Sequence, residues 1–96
     1  MVDSVKVIYG FGLGKVSFIR LIERLNLVTK AHHVDYDLII KKNSLTIDVH
    51  PFKNSGAKDI SEKDGAEIMR YLIYLCENLI DDGCLLRVEM FSALPF

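Results

Sequence analysis

Apolar and polar positions along this chain repeat with two different periods, and each change of period marks a new element. Val5-Lys6-Val7-Ile8-Tyr9 is a short run of β-branched and aromatic residues and predicts a strand. From Val16 to about Thr29 the period becomes helical: Phe18, Leu21, Ile22, Leu25 and Val28 would face a core, with Arg20, Glu23, Arg24 and Asn26 elsewhere on the wheel. The period then returns to two. Tyr36, Leu38 and Ile40 alternate with Asp37, Ile39 and Lys41, and Leu45, Ile47 and Val49 with Thr46 and Asp48. Lys42-Asn43-Ser44 between these runs predicts a β-hairpin, with Asn43 the natural carrier of positive φ. His50-Pro51 closes the second strand, because proline cannot extend a central ladder. Phe52 to Lys58 contains Asn54-Ser55-Gly56 and is expected as a loop.

Ser61, followed three residues later by Asp64, has the spacing of a capping box. The helix it opens carries Ala66, Met69, Leu72, Ile73, Cys76, Leu79 and Ile80 on a wide apolar stripe, with Gly83 as the expected C-terminal cap. Ile68 and Leu75 broaden the stripe and suggest a second packing surface, such as another subunit. Leu86, Val88 and Met90 alternate with Arg87 and Glu89 as a last strand, and Leu94-Pro95-Phe96 is an apolar tail. The predicted order is β-α-β-β-α-β. This is an α+β fold: a four-stranded antiparallel sheet with two helices packed on one face, the last strand antiparallel beside the first.

Composition narrows the function classes. Ninety-six residues suit one domain spanning 1–96. Net charge is −1, and no basic stripe exists beyond Lys41-Lys42, which argues against nucleic acid or an anionic membrane as partner. Arg70 and Glu77 interrupt the longest apolar helix, so no membrane-spanning segment is expected. Cys76 and Cys84 form neither a CxxC nor a zinc spacing. With no leader pattern at Met1-Val2-Asp3-Ser4, a reducing, cytoplasmic setting is expected. Gly10, Gly12 and Gly14 alternate after the first strand, but Lys15, Tyr9 and Val16 stand where the dinucleotide and P-loop codes need other residues, so a flexible turn is expected.

The candidate chemistry lies between His32 and Asp64. All three histidines of the chain, His32, His33 and His50, fall at predicted strand ends. Imidazole titrates nearest neutral pH and can both give and take a proton. Spacing alone favours three solvated loop histidines, and it equally allows Asp64 as nothing more than a helix cap. Tyr36, on the apolar face of a strand, is more often core than a stacking platform. Adjacent histidines rarely both ligate one metal, so no metal or cofactor is expected.

The same stretch resembles the pterin-4a-carbinolamine dehydratases. The features that match are His32-His33 at a helix exit, Asp35-Tyr36 just after, a hairpin, His50 at its end, and Ser61-Glu62-Lys63-Asp64 opening a helix. The resemblance covers roughly residues 5–80. Departures are Val34 where the family usually has proline, Val28 where a charged residue is expected, and Ile39-Ile40-Lys41 where an aromatic is expected. The loop from His50 to Asp64 is longer than the common form, the family's first helix and strand have no counterpart, and Leu85 to Phe91 is an added strand.

The resemblance implies a lyase of tetrahydrobiopterin recycling. Such an enzyme dehydrates a 4a-hydroxytetrahydropterin to a quinonoid dihydropterin without metal, cofactor or covalent intermediate. One proton leaves a ring nitrogen and another goes to the departing hydroxyl. By the resemblance, His32 and His50 are the acid–base pair, in either order, His33 contacts the pterin, and Asp64 orients a histidine or binds substrate. Asp35 and Tyr36 fall in the substrate-binding part of the motif. The resemblance also implies a small-molecule pterin as ligand and a homo-oligomer, dimer or tetramer. The departures at Val28 and Val34 leave open an alternative: a dehydratase-like binding or dimerisation module that lacks the chemistry.

Overall fold

The computed structural model describes residues 2–12, 16–52 and 60–91. The elements follow the expected order: β1 (Ser4–Phe11), α1 (Phe18–His32), β2 (Val34–Ile40), β3 (Ser44–Pro51), α2 (Glu62–Leu79) and β4 (Gly83–Phe91). The strands form one sheet in the order β2-β3-β1-β4, with every neighbouring pair antiparallel. The last strand, β4, lies beside β1, from Ser4 opposite Phe91 to Phe11 opposite Gly83. A bulge falls between Ile8 and Tyr9. Residues 13–15 of the glycine turn after β1, the loop over 53–59 and the tail over 92–96 lie outside the described residues.

Period-2 alternation decides which face of the sheet is covered. Val5, Val7, Leu45, Ile47 and Val49 are fully buried and face the helices. Lys6, Thr46, Asp48 and His50, between them, face the other way and are half-buried. The helices close the covered face with Leu21, Leu25 and Val28 from α1 and Ile68, Leu72, Leu75 and Cys76 from α2. Each fully buried aliphatic side chain contributes about 1.5–3 kcal/mol of transfer free energy. This layer therefore stabilises the fold and holds the helix ends in place.

Several local expectations are corrected. Ile68 and Leu75 are 0% and 4% exposed and sit at the centre of the core, so they offer no second packing surface. Their row continues through Gly65, Leu72 and Cys76 at helical spacing, whereas Met69 and Ile73 lie at its margins. Ile22 is exposed, because Leu21, Leu25 and Val28 already fill the stripe on α1. Asn43 does not adopt positive φ. The hairpin tip is closed by Lys41 N–H donating to the Ser44 carbonyl at 2.8 Å, and the Asn43 carbonyl accepts from Phe11 of β1 at 2.9 Å.

Gly83 does not cap α2. The helix stops at Ile80, whose extended backbone still donates to the Cys76 carbonyl, and the left-handed residue is Asp82, with φ 52°. Gly83 instead opens β4 in close contact with the Tyr9 ring, and a methyl group there would also lie 2.7 Å from Ile80 Cγ2. No described helix is long and apolar enough to cross a membrane.

Candidate functional site

The first candidate residues lie where the two helices meet end to end. α1 finishes at His32, and His33 reverses the chain in left-handed conformation, φ 55° and ψ 47°. Its N–H donates to the Thr29 carbonyl, which caps the helix. Non-glycine residues seldom adopt this conformation, so His33 contributes backbone geometry here, and its side chain is exposed. Thr29 is buried one turn earlier, and its hydroxyl donates to the Leu25 carbonyl at 2.9 Å.

Across the gap, Ser61 Oγ accepts from Asp64 N–H at 3.1 Å, the first half of the predicted capping box. The Asp64 carboxylate turns toward α1 and places Oδ1 3.7 Å from His32 Nδ1. His32 is 23% and Asp64 48% exposed, so the pair lies at the surface of the helix layer. Glu67, one turn beyond Asp64, adds a second carboxylate, and the three donor atoms lie within 4.8 Å of one another. One imidazole nitrogen and two carboxylate oxygens are a donor set able to hold a divalent cation.

His50 belongs to the opposite face of the sheet. It stands opposite Asp35 in the β2–β3 ladder and alternates with buried Val49. Its Nε2 lies 3.1 Å from Asp37 Oδ2 and its Nδ1 3.0 Å from the Pro51 carbonyl. Both partners can only accept, so both contacts are hydrogen bonds when the ring is protonated. Burial pulls the His50 pKa down. The Pro51 hydrogen bond, the Asp37 hydrogen bond and charge, and the Asp48 charge outweigh it and hold the pKa above the ordinary value. Asp48 stands opposite Asp37 on one side and Lys6 on the other. One Asp48 carboxylate oxygen is buried without a hydrogen-bond partner among the described residues.

Asp35 and Tyr36 divide between these faces. Asp35 is exposed on the His50 face, where Oδ1 accepts from Tyr36 N–H at 2.8 Å. Tyr36 packs on the core, and its hydroxyl donates to Asn26 Oδ1 at 3.0 Å, tying β2 to α1. Of the residues that depart from the resemblance, Val28 and Val34 are core residues, 8% and 5% exposed, whereas Ile39 and Ile40 are exposed.

The fold thus brings His32 to Asp64, and His50 to Asp37. His32, His33 and His50 all reach one end of the β2–β3 ladder, where Val34 pairs with Pro51 and Asp35 with His50. The His32 and His50 side chains leave that end on opposite faces. Sequence reasoning missed Glu67, whose signal is its position one turn after Asp64 on the same helix face. It also missed Asp37, which becomes visible only once the hairpin register sets it diagonally across from His50. Comparison with known protein families, with characterised protein sequences and with solved structures finds no match to this chain.

Proposed function

We propose that the chain is a dehydratase of 4a-hydroxytetrahydropterins, with His32–Asp64 as its proton-transfer centre. The observation that carries this reading is the approach of Asp64 to His32 Nδ1 at 3.7 Å. A carboxylate beside Nδ1 orients the imidazole and leaves Nε2 to exchange a proton with a ligand. In this reading His32 takes the proton from the pterin ring nitrogen while the C4a–O bond breaks. The departing hydroxyl receives a proton and leaves as water, so the substrate loses one molecule of water in all. The second proton comes from water, because the His50 side chain lies on the opposite sheet face with both nitrogens engaged, and His33, exposed at the His32 end, contacts the ring. Asp35 and Tyr36 belong to the same end.

A second reading is a dehydratase-like module that binds or self-associates without chemistry. One observation favours it: both His50 nitrogens are already engaged, on the face away from His32. The two readings separate in one experiment. Dehydration of a freshly generated 4a-hydroxytetrahydropterin is followed by ultraviolet absorbance with wild type, His32→Ala, His50→Ala and His33→Gly. His33→Gly keeps the left-handed cap and removes only the imidazole. The dehydratase reading expects acceleration by wild type and a loss of roughly 10²–10⁴-fold in His32→Ala. Full activity in His50→Ala would confine the chemistry to His32. No acceleration over buffer by the folded wild type overturns the enzyme and leaves the module, whose self-association light scattering then measures.

A further inference from the structure

The outer seam between the helices holds a second concentration of chemistry, which the histidines do not use. Arg20 and Arg24 stand one turn apart on α1 and line a cavity of about 520 Å³. Neither guanidinium forms an ion pair or hydrogen bond among the described residues, although Glu23 lines the same cavity. On the α2 side, the Tyr71 and Tyr74 rings stack with centroids 6.5 Å apart and planes 25° apart. Asn78 donates its amide N–H to the Tyr74 carbonyl at 2.7 Å, which leaves Oδ1 to accept. Leu75, buried beneath, supplies apolar lining. Arg24 precedes His32 by two turns, about 12 Å along α1, so this cavity is separate from the histidine site.

We propose that this seam binds a phosphate monoester carrying a planar ring, the chemistry of a nucleoside monophosphate. Two unpaired guanidiniums on one helix face form donor forks that match phosphate oxygens. The tyrosine rings that line the same cavity offer aromatic surface on which a flat ring stacks. Asn78 Oδ1 accepts from a ring N–H or amino group. Glu23 opposes a bare anion, so the ring is needed alongside the phosphate. The cavity volume lies within the range of small-molecule sites. The inference does not depend on the dehydratase reading, since none of its residues belongs to that site.

The test is titration of the isotope-labelled full chain with adenosine monophosphate, adenosine and inorganic phosphate, read by amide chemical shifts. Adenosine monophosphate is expected to move resonances around Arg20–Arg24 and Tyr71–Asn78. Adenosine and phosphate alone should bind at least about tenfold more weakly. The double variant Arg20→Ala, Arg24→Ala should weaken adenosine monophosphate by at least about tenfold, and Tyr74→Ala by less. Glu23→Gln should tighten it, a gain that misfolding cannot produce. The proposal is overturned if adenosine monophosphate moves no resonance in the seam, if adenosine binds equally well, or if the arginine and Glu23 variants leave the affinity unchanged.

Discussion

The covered and open faces of the sheet each carry one histidine–carboxylate pair, and the pairs are built differently. On the open face, His50 and Asp37 are locked into neighbouring strands by the ladder, and both imidazole nitrogens are engaged. On the helix side, His32 and Asp64 come from two helix ends, and among the described residues the His32 ring forms no hydrogen bond. A pair set by register is held rigidly and spends its donors on the fold. A pair set by helix packing keeps a nitrogen available for a ligand, but its geometry depends on the core beneath it.

That dependence makes the core the first place to test the contrast. Leu72→Ala, under α2, should cost about 2–5 kcal/mol by urea denaturation, through lost burial and a cavity. Thr46→Ala, on the open face, should stay within about 0.5 kcal/mol. Equal costs would show that the two faces do not differ as described.

Gly83→Ala should come next, at about 1–3 kcal/mol in thermal melts. Its added methyl group meets the Tyr9 ring and Ile80, and neither can move without disturbing the core. A neutral result would mean that the β4 entrance is looser than its contacts imply.

The smallest effect sharpens the contrast most. The His50 pKa is raised in the folded state, so its stabilising contribution is fully present below the unfolded value of 6.5. It is lost as pH rises through the folded pKa. Asp37 is 67% exposed, which limits the contribution to about 1 kcal/mol or less. His50→Ala should therefore be less stable than wild type near about pH 5.5, with the gap closing toward about pH 8. A gap that widened with pH would remove Asp37 as the partner.

Much of this architecture is legible before any coordinates. The alternation in Leu45-Thr46-Ile47-Asp48-Val49 names the covered face, and Ser61 with Asp64 marks the start of α2. The position of β4 beside β1 follows from element order. Phase and termination are less legible. Ile22, Ile68 and Leu75 are equally apolar in sequence, and only the neighbouring sheet selects which of them is buried. Glycine at position 83 suggests a cap by residue type alone, yet the close approach of Tyr9 from another strand is what requires it.

The candidate site divides the same way. The histidines, Asp64 and their order along the chain are local facts, and so is the capping bond that orients Asp64. The pairing of those residues is not local. His32 meets Asp64 because antiparallel helices bring the exit of α1 to the entrance of α2. His50 meets Asp37 because the hairpin register sets them diagonally across two strands. The opposite faces of His32 and His50 follow from pleat parity on one side and helix exit on the other. Period and capping act over a few residues, so sequence determined the elements and the buried face of β1 and β3. Which charged and titratable groups meet depends on contacts between residues tens of positions apart, and only the tertiary structure decided those.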